Sequence, residues 1–118
     1  MERGDLDEFY RRYLGRCNEH RFDELGEFVA GTVEVNGESQ DLDRYAAGLR
    51  IVVQEYPDFH WDLRHLLIDG DWLSAHLVDT YTTPAGRAVS LQELAMYHVD
   101  SGRIVQVWGD LDHARLAR

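Results

Sequence analysis

The stretch from residue 89 to residue 112 has the pattern of a β-hairpin, and its register decides where the candidate functional side chains point. Its sequence, VSLQELAMYHVDSGRIVQVWGDLD, has two runs rich in apolar and β-branched residues on either side of a polar turn, DSG. A three-residue loop with Gly102 in the left-handed conformation would place Glu93 opposite Gly109. A two-residue loop would shift one strand by a residue and exchange its faces. The predicted position of every side chain in the hairpin therefore depends on this turn.

With the three-residue loop, one face of the hairpin is apolar except for a single carboxylate. Because side chains alternate along a strand, Glu93 shares this face with Leu91, Ala95, Tyr97, Val105, Val107, Gly109 and Leu111. The opposite face, together with the preceding strand, collects large apolar and aromatic side chains: Trp72, Leu94, Met96, His98 and Trp108. A monomer rarely exposes an apolar patch of this kind, so we expect a homodimer that forms through this face.

Length, charge and composition exclude several classes of function. A chain of 118 residues suits one domain, residues 1–118, with a single core. The net charge of −10, without a basic stripe, argues against a nucleic-acid or anionic-membrane partner. The chain contains no lysine, which excludes Schiff-base catalysis by that side chain. A single cysteine, Cys17, and the absence of a membrane-length apolar run predict a cytoplasmic protein.

Hydrophobic periodicity predicts three helices followed by four strands. The first helix begins at a capping sequence, Asp5 with Glu8, and ends near residues 18–20. A short second helix covers residues 22–29 and stops at Gly31, and a brief strand follows at 32–35. The third helix covers residues 42–56, with Ser39 or Asp41 as its cap. From there the period changes to two, which predicts strands at about 59–68, 72–82, 88–99 and 103–111.

This order of elements indicates an α+β fold, with the three helices packed on the concave face of a curved antiparallel sheet. A sheet of this shape can hold a pocket between its concave side and the helices. If all three hairpins have three-residue loops, the strands form two rows of cross-strand neighbours. The first row is Leu63, Leu77, Glu93 and Gly109, and the second is Trp61, Asp79, Leu91 and Leu111.

Three side chains on the predicted concave face are candidates for catalysis. Glu93 among apolar neighbours would lose solvation and have a raised pKa, which suits a general acid or base. Asp79 should lie diagonal to it, at roughly 7 to 8 Å, close enough for the two carboxyl groups to split their titrations. His65 falls on the same face and would be a proton relay. The alternative for each is structural: a solvated Glu93, an ion-paired Asp79 and a hydrogen-bonded core His65.

Aromatic side chains on the same face predict a site for a flat apolar or aromatic ligand. Trp61, Tyr81 and Tyr97 would line the cavity, although aromatic residues at strand spacing also occur as ordinary core. A bulge at Gly109 would turn Asp110 towards the concave face and add a carboxylate there, whereas without a bulge, the alternative that we favour, Asp110 is a solvated neighbour of the chain end. The six histidines show no metal-ligand spacing, and we expect neither a metal nor a cofactor.

Two segments resemble a known family. The run YPDFHWDLRHLLIDGDWLSAHLV, residues 56–78, and the closing run DSGRIVQVW resemble the corresponding stretches of SnoaL-like polyketide cyclases and ester cyclases. These belong to the nuclear transport factor two-like superfamily. The resemblance implies a cone-shaped, cystatin-like α+β fold that commonly dimerises through its sheet.

The resemblance also marks departures from the family pattern. The aspartate that transfers the proton in the polyketide cyclases would align with Gly109, and their pocket glutamine and histidine with Glu93 and Ala95. The hairpin over residues 82–88 is shorter than is usual in the family, which implies a more open pocket mouth. The fold is therefore implied more strongly than the cyclase reaction.

Together these observations predict a cofactor-free enzyme that binds a small apolar or polycyclic ketone and moves a proton at carbon. The reaction would be an isomerisation, an aldol cyclisation or a dehydration, with Glu93 as acid and base, Asp79 tuning it and His65 as a possible relay. A non-catalytic ligand-binding or interaction domain on the same fold is the alternative, and the missing cyclase aspartate favours it.

Overall fold

The computed structural model describes residues 1–110 and has an α+β fold built on one six-stranded curved sheet. The elements, in chain order, are helix α1 (Arg3–Asn18), a 3₁₀ helix (Phe22–Glu27), strands β1 (Val29–Val35) and β2 (Glu38–Asp41), helix α2 (Leu42–Glu55), and strands β3 (His60–Asp69), β4 (Trp72–Thr82), β5 (Ala88–Asp100) and β6 (Arg103–Gly109). The predicted fold class is confirmed. No helix among these residues is long and apolar enough to cross a membrane.

The strand order is β2-β1-β6-β5-β4-β3. The predicted antiparallel meander is present as β3 to β6. The sequence did not indicate that β1 would lie parallel to β6, or that β2 would extend the sheet beyond β1. Strand β2 was missed because its sequence, ESQD, is mostly exposed and has no apolar alternation.

The prediction for the second helix was wrong at its C-terminal end. A 3₁₀ helix ends at Glu27, and both Val29 and Gly31 belong to β1. Phe22, Leu25 and Phe28 are all buried and have helical spacing, so the apolar pattern continues into the strand without a break. Hydrophobic periodicity therefore does not show where this helix ends.

The caps of the two α-helices follow from their sequences. Asp41 caps α2, because its Oδ1 atom accepts a hydrogen bond from the Arg44 backbone N–H at 2.7 Å. Helix α1 begins two residues before the predicted capping residue Asp5, since Glu2 and Asp5 form the capping box. The expectations for Leu111, for Asp112 as a cap and for a final helical turn lie outside the described residues.

The turn between β5 and β6 has two residues and not the three that we expected. Ser101 and Gly102 both have positive φ angles, 53° and 78°, and Asp100 lies directly opposite Arg103. This is the backbone geometry of a type I′ turn, whose twist matches that of the strands. The predicted pairing of Glu93 with Gly109 is therefore wrong.

A β-bulge in β6 compensates for the short turn. Val99 is paired with Ile104 but His98 with Gln106, so one extra residue, Val105, is inserted in β6. The insertion restores the alternation from that point on, and Gly109 lies opposite Ala95. The bulge thus occurs at Val105 and not at Gly109. The short turn and the bulge each shift the register by one residue, and the total shift of two residues leaves Glu93 on the predicted face with a different partner.

The hairpin between β3 and β4 repeats this combination of a short turn and a bulge. Asp69 lies opposite Trp72 across a two-residue turn, and the register shifts between Leu63 and His65. Before the shift, both predicted rows are confirmed across β3, β4 and β5: Leu63–Leu77–Glu93 and Trp61–Asp79–Leu91. After it, His65 is paired with His76 and lies on the face opposite to Glu93, so the predicted position of His65 is wrong.

The side chain of Asn18 joins the end of α1 to the outer edge of β3. Its Nδ2 atom donates to the Trp61 carbonyl at 2.8 Å, and its Oδ1 atom accepts from the Trp61 backbone N–H at 2.8 Å. The amide group thus takes the place of a neighbouring strand at this position. It fixes the start of β3 against the helix and holds Trp61 on the face of the sheet that packs against the helices, here called the inner face.

We predict that Asn18→Ala lowers the free energy of unfolding by about 2 kcal/mol, because two buried or half-buried hydrogen bonds of about 1 kcal/mol each are lost. Urea unfolding followed by circular dichroism measures the difference. Gln54→Ala, at an exposed position of α2, is the matched control. Equal stability of the two variants would show that the hydrogen bonds between Asn18 and Trp61 do not stabilise the fold.

Candidate functional site

A cavity of about 160 Å³ lies between the inner face of the sheet and the two α-helices. Its walls come from both helices and from five of the six strands: Tyr13, Leu14, Cys17, Val35, Asn36, Tyr45, Leu49, Trp61, Leu77, Glu93, Ala95, Tyr97, Val107 and Gly109. An engineered apolar cavity of roughly 150 Å³ in another protein holds one benzene molecule. The cavity therefore has room for about one six-membered ring.

Glu93 is the charged residue in this wall, as the inner-face pattern predicted. Its Oε1 atom is buried and has no hydrogen-bond partner among the described residues. Burial raises the pKa of the Glu93 carboxyl; interaction with the Asp79 carboxyl opposes this rise and the charge of Asp110 adds to it. The carboxyl group is therefore poised to exchange a proton nearer neutral pH than an exposed glutamate.

Asp79 lies diagonal to Glu93 on the inner face and does not line the cavity. Its side chain is completely buried, and neither carboxyl oxygen has a hydrogen-bond partner among residues 1–110. Burial raises the pKa of Asp79 to about 10, with further contributions from the Glu93 carboxyl and the charge of Asp110. Asp79 is therefore a neutral carboxylic acid at physiological pH.

The structure brings some of the predicted ligand-binding residues together and leaves others apart. Trp61 and Tyr97 line the cavity with Glu93. Tyr81 does not, and its ring packs 5.4 Å from Phe59 in a separate aromatic cluster. Asp110 is exposed and turned back to the sheet, where its Oδ1 atom accepts from the Leu94 backbone N–H at 2.8 Å.

His65 is not part of the site. It is exposed on the outer face of the sheet, the face turned away from the helices. Its Nδ1 atom lies 2.9 Å from Nδ1 of His76, and the other ring nitrogen of His76 contacts the Gln92 side-chain oxygen. The whole sheet separates it from Glu93, so it cannot relay a proton to that residue.

The sequence pattern did not identify two tyrosines of the cavity wall as site residues. Tyr13 in α1 and Tyr45 in α2 have helical apolar spacing and look like ordinary core residues. Their hydroxyl oxygens are only 2.6 Å apart, in a wall that also contains Tyr97 and Glu93. A signal was present, because a buried phenol needs a polar partner and both helices present one towards the same sheet face.

Cysteine chemistry and metal binding find no support among the described residues. Burial raises the pKa of the Cys17 thiol to about 12, so it remains protonated in the cavity wall. No three histidine, cysteine, aspartate or glutamate side chains within residues 1–110 are grouped as metal ligands would be.

The outer face carries the apolar patch that the sequence indicated. This patch consists of Trp72, Leu94, Met96, His98 and Trp108. Leu94 is 56% exposed, Met96 41% and Trp108 38%, whereas the Trp72 and His98 rings stack with their centroids 4.4 Å apart. His98 also pairs with Asp71, at 3.0 Å between Nε2 and Oδ2.

The sequence and the fold are both similar to those of a known protein family. Residues 5–118 match the family model of the SnoaL-like polyketide cyclases. The crystal structure of a SnoaL-like polyketide cyclase from Agrobacterium tumefaciens has 32% sequence identity, covers 92% of each chain and superposes with a TM-score of 0.85. No curated protein matches the sequence.

Two solved structures of lower sequence identity show that the fold is shared. IdmH from Streptomyces antibioticus is 19% identical, with 92% of each chain covered and a TM-score of 0.83. A cystatin-fold protein from Novosphingobium aromaticivorans is 14% identical over 88% of this chain and 96% of its own, with a TM-score of 0.73.

The buried acid Asp79 predicts a specific pH dependence of stability. Its pKa is about 10 when folded and about 3.9 when unfolded, so between these values the folded state binds more protons and stability falls as pH rises. Asp79→Asn removes this dependence. Between pH 5 and 9 the stability difference between variant and wild type should change in favour of the variant, by up to about 1.4 kcal/mol per pH unit.

Urea unfolding at a series of pH values measures this difference, with Asp58→Asn as the control. Hydrogen bonds from Thr82 lower the pKa of Asp58, so its contribution to stability is lost only in acid, as pH falls below the unfolded value. The difference between Asp58→Asn and wild type should therefore stay constant from pH 5 to 9. A constant difference for Asp79→Asn as well would show that Asp79 is ionised in the folded protein.

Proposed function

Because the chain belongs to the SnoaL-like polyketide cyclase family, we propose that it is an enzyme that moves a proton at a carbon atom of a small ketone. Glu93 is the general acid and base. The observation that carries this proposal is its buried, unpartnered Oε1 atom in the wall of a cavity the size of one ring. A buried carboxyl oxygen without a protein partner is free to bind and transfer a substrate proton.

Asp79 acts on the reaction through Glu93. It does not line the cavity and so cannot touch the substrate, but its carboxyl group affects the titration of Glu93. A neutral Asp79 adds no negative charge behind Glu93, which allows the ionised form of Glu93 to exist in an apolar setting. Asp79 is a positioning and tuning residue.

The lining and volume of the cavity describe the substrate. Most of the wall is hydrocarbon or aromatic, and the polar groups are few, as in sites for uncharged organic ligands. A monocyclic ketone fits whole, whereas a polycyclic ketone would insert only its terminal ring. Isomerisation, aldol cyclisation and dehydration of such a molecule all begin with proton removal next to a carbonyl group, and this step requires no cofactor.

The similarity to a SnoaL-like polyketide cyclase from Agrobacterium tumefaciens supports a ketone substrate, because polyketides carry repeated carbonyl groups. The position of the acid is different. The proton-transferring aspartate of the polyketide cyclases would align with Gly109, whereas Glu93 lies on the neighbouring strand β5. The base would thus have moved across the sheet within the same cavity.

We predict that Glu93→Gln slows deuterium exchange at the α-carbon of a one-ring ketone by about 10²–10⁴-fold, since the amide cannot accept the proton. NMR in D₂O measures the exchange, starting with cyclohexanone and cyclohex-2-enone. With wild type, the rate should increase with pH and have a midpoint above the ordinary glutamate value of about 4.3.

Glu27→Gln, at an exposed position, is the matched control and should leave the rate unchanged. If one-ring ketones raise the melting temperature but the protein never accelerates their exchange, the chain is the non-catalytic binding domain. If exchange is catalysed equally by Glu93→Gln, another group is the base.

We also propose that two copies of the chain associate through the outer patch. Three of its five residues are large, apolar and at least 38% exposed, a cluster that water disfavours and a second copy would cover. The double variant Leu94→Glu/Met96→Glu should then have the 13.7 kDa mass of a single chain. Light scattering after size exclusion measures this mass.

Ile51→Glu is the control for the dimer, because Ile51 is 50% exposed on α2, away from the patch. It should keep twice the mass of one chain. A wild-type protein with the mass of one chain at micromolar concentration would contradict the proposal.

A further inference from the structure

The cavity contains more hydrogen-bond donors than the protein itself uses. Tyr13 and Tyr45 form a hydroxyl pair, 2.6 Å between oxygens. When Tyr13 donates within the pair, its proton is used there and the proton of Tyr45 is left over; when Tyr45 donates, the Tyr13 hydroxyl is next to the Cys17 thiol. Both side chains belong to the cavity wall, so the spare donor lies at the cavity.

A second spare donor comes from the sheet. Tyr10 donates to the hydroxyl oxygen of Tyr97, at 3.4 Å, so the proton of Tyr97 itself is not used in that bond. Tyr97 lines the cavity, and within residues 1–110 the hydrogen bond of its hydroxyl group is the one with Tyr10. Ala95 lies between Tyr97 and Glu93 on the inner face of β5, and its small side chain leaves the space between them open.

The Tyr13–Tyr45 pair and Tyr97 line the same cavity, and the aromatic rings there pack together. The Tyr13 and Tyr97 rings are 6.1 Å apart between centroids, and Tyr10 packs against both, at 5.9 and 5.0 Å. An oxygen with two lone pairs satisfies two such donors at once. A carbonyl oxygen and an enolate oxygen each accept two hydrogen bonds without donating one.

We propose that the Tyr13–Tyr45 pair and Tyr97 together hold the oxygen of a one-ring ketone, with its α-carbon towards Glu93. This inference rests on the proposed function and adds the residues that bind the ketone oxygen and the orientation of the ring in the cavity. A carboxylate or phosphate in place of the ring would meet the acidic side chain of Glu93 in a mostly apolar wall, and is excluded.

The proton and the electrons balance in this arrangement. The Glu93 carboxylate takes a proton from the α-carbon, and the electron pair of that C–H bond forms the C=C bond of an enolate. The carbonyl π electrons move to the oxygen, where the two phenolic O–H groups stabilise the negative charge. In a β,γ-unsaturated ketone the enolate is a dienolate, and return of the proton from Glu93 to its γ-carbon completes an isomerisation without any further reactant.

The phenols are suited to remain donors. Burial raises the pKa of both Tyr45 and Tyr97 above the ordinary range, and the nearby Glu93 charge adds to the rise. Both groups therefore stay protonated across the range in which Glu93 titrates.

Two probes of the same size separate recognition of the oxygen from simple filling of the cavity. They are 4-fluorophenol, which carries an oxygen that accepts hydrogen bonds, and fluorobenzene, which does not. Fluorine NMR titration gives the dissociation constant of each. In Tyr97→Phe, and in the double variant Tyr13→Phe/Tyr45→Phe, we expect 4-fluorophenol to bind about 3- to 12-fold more weakly, the loss of one neutral hydrogen bond. Fluorobenzene should change less than twofold.

Tyr56→Phe is the control, because Tyr56 is a fully buried tyrosine that does not line the cavity. It should bind both probes as the wild type does. The double variant is needed because Tyr13 can take over the bond when Tyr45 alone is changed. If the double variant does not fold, Tyr97→Phe alone decides the matter.

Equal losses for the two probes, unchanged binding of 4-fluorophenol, or failure of wild type to bind either probe would overturn this inference. These outcomes are independent of the Glu93 test. Loss of exchange in Glu93→Gln combined with unchanged 4-fluorophenol binding in the tyrosine variants would leave the base in place and remove only the oxygen site.

Discussion

The site depends on which residues of each strand point to the inner face of the sheet. Each of two hairpins combines a two-residue turn with one inserted residue, Val105 in β6 and Arg64 in β3. A short turn alone would reverse the inner and outer faces of the strand that follows it. In β6 the insertion keeps Val107 on the same face as Glu93, and in β3 it sends His65 outward. The composition of the cavity wall is thus decided by two bulges.

Burying two neighbouring carboxyl groups lowers the stability of a protein, and Asp79 and Glu93 are such a pair. Asp79 has no hydrogen-bonding partner among the described residues, and Glu93 has one oxygen without a partner. Natural cores rarely keep such groups without a reason, because apolar residues of similar size pack better. The aromatic and aliphatic shell around them excludes water, which raises both pKa values and makes proton exchange near neutral pH feasible.

The sequence was sufficient for the fold class and for half of the site. Period-two alternation predicted β4 without error, and the inner-face pattern identified Glu93 and Asp79 as neighbours. Bulges were not predictable, because Val105 and Arg64 are ordinary strand residues and an insertion leaves no local signature. For the same reason His65 was placed on the wrong face. Tyr13 and Tyr45 were missed because the contact between their hydroxyls depends on how two helices pack, which periodicity does not encode.

The clamp between Asn18 and Trp61 has a consequence for solubility. Strand β3 ends the sheet, and an open strand edge is a template for pairing with another chain and for fibril growth. The Asn18 amide occupies the N–H and C=O of Trp61, and the bulge at Arg64 interrupts the straight edge immediately after it. These two features make the first part of β3 a poorer template for the addition of a further strand.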